Sequence, residues 1–437
     1  MAMVLNEESM IASQTTWLDH LARRMVFARW EGLQRGRITV IDGSGRQSFG
    51  RTTGDAPLTA TIHIHDPRVY SSLAFGGTVG AGGDYMDGLW SCDDLTSLVR
   101  ILVRNRAVLD GMEQGVARLS APLRQLVHRL RRNTRTGSRR NIAAHYDLGN
   151  EFFSLMLDET MMYSCAFFEQ ETGPLREAST AKNDRICRKL NLSSADHVLE
   201  IGTGWGGFAL HAASHYHCRV TTTTISQRQY EVAVRRVQEA GLTDRVTVLL
   251  KDYRDLHELG TNFDALVSIE MIEAVGHAYY DTYFKACSDL LKPHGRMLLQ
   301  AITIEDRRYE QATRSVDFIQ QYIFPGSCIP SITALCASAT RATDMGLFHL
   351  EDIGAHYPPT LRGWRERLCA NRSKVRALGY SDSFLRLWEL YLCYCEGGFL
   401  ERSLSTAHLL FVKPLYRPQT VLQPSPSLTE AACSMLL

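Results

Sequence analysis

Val198-Leu-Glu200-Ile-Gly202-Thr-Gly204-Trp205-Gly206-Gly207 is the stretch on which the fold turns. It begins as a short apolar run of strand length carrying one acid, passes through four closely spaced glycines, and continues into the helix-like FALHAAS. Such a corner suits a ligand. The turn must be tight, the ligand must approach the backbone closely, and the helix N-terminus beyond supplies amide donors and a partial positive charge. The spacing G-x-G-x-G-G departs from the dinucleotide fingerprint G-x-G-x-x-G.

Outward from this corner, residues 141–418 alternate short apolar runs with helix-like segments, the pattern of a parallel sheet with crossover helices. VTTTTI (220–225), VTVLL (246–250), ALVSI (265–269) and RMLLQAI (296–302) read as the strands that follow VLEI (198–201). AKNDRICRKLNL, QRQYEVAVRRVQEAG and YYDTYFKACSDLLKPHG read as helices between or beside them. Residues 1–117 mix RITVIDG and LTATIHIHD with the helix-like LTSLVRILVRNRAVL, predicting a small α+β domain. Residues 419–437 read as a disordered tail.

Between the two domains, Arg118–Arg140 holds eight arginines and no acid. Leu119, Leu123, Leu126, Val127 and Leu130 recur there at helical spacing. Two readings stand: a solvated linker helix, or an amphipathic element resting on anionic headgroups, where each arginine contributes roughly 1 kcal/mol.

Composition bounds the rest. A chain of 437 residues, 45% hydrophobic and 22% charged, fits a globular protein of two domains. The net charge of +1 gives no overall attraction to polyanions, so no nucleic-acid partner is expected. No apolar run approaches the roughly 18 residues of a membrane span, and the N-terminus lacks the pattern of a secretory signal. The 11 cysteines form no C-x-x-C pair, which fits free thiols in a reducing cytoplasm. H-x-x-x-H spacing with the catalytic acid of a metal site is absent.

The glycine loop resembles motif I of the class I methyltransferases, in which it holds the amino-acid end of S-adenosylmethionine. That resemblance makes Glu200, Gly202, Gly204, Trp205, Gly206 and Gly207 cofactor-binding candidates. The second strand lacks the usual terminal acid that grips the ribose, so Thr224, Ser226 and Gln229 are the neutral polar candidates there. Asp252, Tyr253 and Arg254 belong near the adenine edge, and Tyr163, Ser164 and Glu270 complete the set.

Seven segments then occur in order: AHYDLGNEFFSLMLDETMMYSCAFF (144–168), VLEIGTGWGGFA, TISQRQ, KDYRDL, SIEMIEAVG (268–276), YIFPGSCIPS (322–331) and EDIGAHYPPTL (351–361). Together they resemble the cyclopropane-fatty-acyl-phospholipid synthases and their mycolic-acid relatives over residues 141–416, and more loosely through GGDYMDGLWSCDDL (82–95). The resemblance implies a Rossmann-like methyltransferase domain and methyl transfer to the cis double bond of an unsaturated phospholipid acyl chain. A carbocation then loses a proton to a bound bicarbonate as the ring closes. It also implies a cytoplasmic enzyme working at the inner, anionic face of a membrane, in this family often as a homodimer.

The family's bicarbonate pocket carries over to Cys165, Glu273, Ile302 and Tyr357, with Glu351 as a supporting candidate. Glu273 is the expected acid–base group. The pocket histidine is replaced here by Gln300, which can donate a hydrogen bond but cannot carry a proton. Cys395 sits where family members also have cysteine. Tyr163, Phe167, Phe168, Tyr322 and Phe324 are candidates to face the cation. The Gln300 departure keeps a related product open, a methylene or methyl-branched acyl chain. Small-molecule N-methylation and catalytically silent lipid binding are the remaining alternatives.

Overall fold

The computed structural model describes residues 16–52, 57–108, 110, 149–170 and 172–417. The arginine-rich segment Arg118–Arg140, His145 and the tail 419–437 lie outside the described residues. Two compact units divide the chain, Met1–Arg124 with Tyr380–Glu401, and Gln125–Gly379 with Arg402–Leu437.

The first unit holds a four-stranded sheet, β1 (Gly36–Asp42), β2 (Gly45–Arg51), β3 (Thr59–Ile64) and β4 (Trp90–Cys92), in the order β2-β1-β3-β4. Ile38, Val40, Ala60 and Ile62 are buried by period-2 alternation. Helix Trp17–Trp30 starts at a capping box between Thr16 and Asp19. Helix Asp382–Leu400 is also part of this unit. Alternation predicts one domain running through 141–418, yet this helix packs with residues far away in sequence. Thr96 donates to the buried Glu396 carboxylate at 3.1 Å, and Arg100 and Arg104 share Glu401 at 2.7 and 2.8 Å. A Cβ at Gly397 would stand 2.7 Å from Val99, so glycine is what lets the helix approach this closely.

The second unit is built on seven strands: β5 (His197–Ile201), β6 (Arg219–Thr224), β7 (Val246–Leu250), β8 (Phe263–Ile269), β9 (Leu291–Ile304), β10 (Gly346–Asp352) and β11 (Leu404–Val412). Their order is β10-β11-β9-β8-β5-β6-β7. β5 to β9 are parallel, as the alternation predicts, while β10 and β11 add an antiparallel edge that the parallel pattern did not include. Helices cover both faces. Leu199, Leu266, Met297 and Leu299 pack on one side with helix Tyr280–Asp289. Val198, Val267, Leu298 and Leu410 pack on the other with helices Leu175–Lys189 and Gly207–His215. The second face matters for the site, because Gln300 and His408 share it with Leu298 and Leu410 by period 2.

Candidate active site

The glycine corner forms where β5 meets helix Gly207–His215, at the carboxyl end of the parallel strands, where open αβ sheets bind ligands. Gly206, the residue before the helix, has φ +86°, a state that L side chains rarely adopt. A Cβ on Gly207 would fall 2.4 Å from Met162 Sδ and 2.8 Å from the Thr160 carbonyl. Gly202 and Thr203 donate their amides to the Thr223 carbonyl, tying the loop to β6.

The remaining cofactor candidates divide by what they touch. Trp205 is 2% exposed, packs on Phe153 and donates to Asn150 at 2.8 Å, so its indole pins the loop from below. Glu200 is buried and accepts from the Thr222 hydroxyl at 2.6 Å; burial pushes its carboxyl up to about 8. At the end of β6, Thr224 donates to Gln229 Oε1 at 2.9 Å, and Ser226 caps the helix Gln227–Glu239. Asp252 is gripped by Arg254 at 2.8 and 2.6 Å, and Tyr253 packs edge-on against Tyr283. Ser164 accepts from Lys182, a fully buried lysine absent from the sequence candidates, whose ammonium burial lowers to about 8.

A denser polar node lies at the carboxyl ends of β8 and β9. Glu270 follows β8 with φ +49°, the left-handed region that costs a non-glycine residue about 1–2 kcal/mol. Its amide donates to the Gln300 carbonyl at 2.8 Å. Its carboxylate gathers three donors: Cys165 N at 3.0 Å and Gln300 Nε2 at 2.8 Å on Oε1, and the Tyr357 hydroxyl at 2.6 Å on Oε2. The resemblance groups Glu270 with the cofactor residues; in the structure its carboxylate is the centre to which Cys165, Gln300 and Tyr357 converge.

Glu273, one short turn further, accepts the Ile302 amide at 2.6 Å through Oε1. Its Oε2 is buried without a hydrogen-bond partner. Burial, and then the charge of Glu270, push its carboxyl up to about 8. Burial raises Glu270 as well, but Tyr357, Cys165 and Gln300 oppose that shift. Two nearby carboxyls whose surroundings pull them apart divide their roles: Glu270 is the better candidate for the anion and Glu273 for the neutral acid.

Gln300 is held in one orientation. Its amino group also donates to the Cys165 carbonyl at 3.3 Å, so its Oε1 faces His408 Nε2 at 3.0 Å and accepts from it. His408 Nδ1 then accepts from the buried Lys189 ammonium at 2.9 Å, and Lys189 pairs with Glu351 at 2.5 Å. His408 is fully buried, and its pKa lies well below the ordinary range, first by burial and then by Lys189. This fixes a neutral imidazole. Burial alone would raise Glu351, but Arg185 and Lys189 hold it down at about 2, which marks it as an ion-pair anchor at the far end of this chain of contacts.

Cys165 is fully buried with its thiol pushed well above the usual range, first by burial, so its contribution is its backbone amide and not a thiolate. Cys395 lies on helix Asp382–Leu400 in the first unit. Cys92, Cys165, Cys187, Cys218, Cys287, Cys328 and Cys336 carry free thiols. Tyr357 links the node to an aromatic wall. Its ring lies 6.3 Å from Trp364, which lies 5.2 Å from Tyr163, with Phe324 6.5 Å beyond. Phe167 is taken up by Arg185, 4.4 Å over its ring, and by His356, while Tyr322 packs on Phe318. Among the described residues no group of His, Cys, Asp and Glu is arranged to hold a metal ion.

Known proteins share this architecture. The family pattern of mycolic acid cyclopropane synthetase matches residues 133–409. The chain is 37% identical to tuberculostearic acid methyltransferase of Mycobacterium tuberculosis, over 80% of this chain and 83% of that protein. It is also 37% identical to cyclopropane-fatty-acyl-phospholipid synthase of Escherichia coli, over 82% of this chain and 88% of that protein. Among solved structures, a cyclopropane synthase from Mycobacterium tuberculosis superposes with a TM-score of 0.58 at 29% identity, covering 63% of this chain and 98% of its own. A mycolic acid cyclopropane synthase in complex with SAH and CTAB does so with a TM-score of 0.57 at 31% identity, with the same coverage. A glycine corner on a mixed seven-stranded sheet and a matching family pattern over most of the length lead to one assignment: this chain is a methyltransferase and belongs to the mycolic acid cyclopropane synthetase family.

Proposed function

We propose that the chain adds a one-carbon unit from S-adenosylmethionine to the cis double bond of an unsaturated acyl chain in a membrane phospholipid, closing a cyclopropane ring. The observation that carries this reading is the carboxylate node of Glu270 joined through Tyr357 to the wall of Trp364 and Tyr163. A base beside aromatic faces is what an alkene alkylation requires. The Gly202–Gly207 corner, Thr224, Gln229 and Asp252 would hold the cosubstrate, whose sulfonium supplies an electrophilic methyl group. An isolated alkene is a weak nucleophile, so the site must hold it in line with that group. Tyr163, Tyr357 and Trp364 offer π faces to the positive charge that develops on the lipid, and their apolar bodies keep water from it.

Bicarbonate is a poor fit to these residues. Cys165 N, Gln300 Nε2 and the Tyr357 hydroxyl are engaged by Glu270, and Ile302 N by Glu273. A second anion would meet two carboxyls at a point where these four donors are already engaged.

The phospholipid would be reached at an anionic membrane surface on the cytoplasmic side, with the arginines of Arg118–Arg140 as the supporting feature. No helix among the described residues is long and apolar enough to cross a membrane. A homodimer is part of the same proposal, and sedimentation tests it. The second reading is a methylene or methyl-branched product, favoured by the likeness to tuberculostearic acid methyltransferase. Incubation with S-adenosylmethionine and unsaturated phospholipid vesicles, followed by mass spectrometry before and after hydrogenation, decides between them. A ring product has gained one CH2 and takes up no hydrogen under mild conditions, whereas a methylene product does. Unchanged lipid overturns both.

A further inference from the structure

We propose that Glu270 is the resident base of the reaction, its carboxylate standing where the family resemblance implies a bound bicarbonate. The inference rests on the lipid-alkylation reading above and names the group that completes it.

Four observations meet at this residue. Cys165 N and the Tyr357 hydroxyl, from positions that the resemblance gives to the bicarbonate pocket, and Nε2 of Gln300, which replaces that pocket's histidine, point at one protein carboxylate, at 3.0, 2.6 and 2.8 Å. The fourth donor, Ile302 N, is bound by Glu273 at 2.6 Å. The backbone of Glu270 sits at φ +49°, where glycine is at ease and a longer side chain is not, so the carboxylate is present despite local strain. Finally, Gln300 cannot take a proton, and the chain behind it, through His408 to Lys189, orients its amide and does not relay protons. Gln300 and His408 are therefore positioning residues.

A carboxylate offers about four acceptor sites, and three are used here, two of them on Oε1. The open one is on Oε2, the oxygen that also accepts the Tyr357 hydroxyl. In the step assigned to it, Glu270 takes a proton from the transferred methyl group. The electron pair of that C–H bond becomes the carbon–carbon bond that closes onto the cationic carbon. Glu270 is left as a neutral acid and returns its proton to solvent before the next turnover. Charge and atoms balance without any external base.

The test uses the full-length enzyme, S-adenosylmethionine and unsaturated phospholipid vesicles, in buffer purged of carbonate and in buffer supplied with it. The wild-type rate is expected to be the same in both, and calorimetry is expected to detect no bicarbonate binding. Glu270→Gly, placed where the backbone favours glycine, should bind S-adenosylmethionine as the wild type does but turn over about 100-fold more slowly. Bicarbonate should bind this variant and restore its rate about tenfold, because the freed donors now have room for an anion. Glu270→Gln should be as slow and gain nothing, since its amide fills the space. A wild-type rate that rises with bicarbonate, bicarbonate binding to the wild type, or a Glu270→Gly variant of undiminished rate each overturns the proposal while leaving the lipid reading intact. A wild type that alkylates no lipid in either buffer overturns the lipid reading, and the base role with it.

Discussion

Glu270 and Glu273 show how three residues of separation decide chemistry. Both are carboxyls largely withdrawn from water, yet one collects three donors and the other has one oxygen without any. Tyr357→Phe removes a donor that lowers Glu270's pKa. A hydrogen bond to a charged group is worth about 1.5–3 kcal/mol, so kcat should fall about 10- to 100-fold. The acid limb of the pH–rate profile should also move to higher pH, while S-adenosylmethionine affinity measured by calorimetry holds. Glu273 carries a pH signature of its own. Its folded-state pKa of about 8 exceeds its ordinary 4.5, so the folded protein retains a proton that the unfolded chain has released. Stability from this group is intact below the lower value, declines as pH rises between the two, and levels off above the upper one. Glu273→Gln should flatten that decline in a series of thermal melts across the same range; an unaltered slope would assign the decline to other groups.

At the scale of elements, the glycine corner and the β9–β11 pair organise the site by different means. The corner is local: a strand end, a turn at positive φ and a helix start, all within ten residues. Gly207→Ala puts a methyl against Met162 and the Thr160 carbonyl. Overpacking of this kind costs about 1–3 kcal/mol, and it should appear both as a lower melting temperature and as weaker S-adenosylmethionine binding. The pair β9–β11 is non-local. Antiparallel register sets His408 opposite Gln300, 108 positions away in sequence, on the face that also receives Lys189 from helix Leu175–Lys189. A one-residue slip of β11 would turn His408 to the other face, away from Gln300.

At the scale of the whole molecule, the chain leaves its second unit at Tyr380, contributes helix Asp382–Leu400 to the first, and returns at Arg402 to form the antiparallel strand β11 between β10 and β9. The first unit is therefore incomplete without a segment from near the other end of the chain. A fragment of residues 1–124 should show no cooperative thermal transition, because helix Leu95–Arg104 loses the helix that sets Gly397 against Val99 and Glu396 against Thr96. Fusing residues 380–401 to it through a flexible linker should restore the transition. A fragment that melts cooperatively by itself would show the helix to be dispensable for that fold.

Much of this protein was decided by the sequence alone. Strand–glycine–helix order over 198–207, the apolar runs of β5 to β9 and the family resemblance of seven segments all depend on neighbours within about twenty residues, where periodicity and turn chemistry act. The same reading names Cys165, Glu273, Gln300, Ile302 and Tyr357 as one group; in the structure the Cys165 amide, Gln300 and Tyr357 donate to Glu270, and the Ile302 amide donates to Glu273. Only the tertiary structure showed that the centre of that group is Glu270, that buried Lys182, Lys189 and His408 stand behind it, and that residues 380–401 belong to the first unit. An acid after a strand, a lysine on a helix and a histidine in an apolar run look alike in sequence wherever they occur. Their partners come from strands and helices brought together across a hundred residues or more, and burial and hydrogen bonding, which set protonation, exist only once those contacts are made.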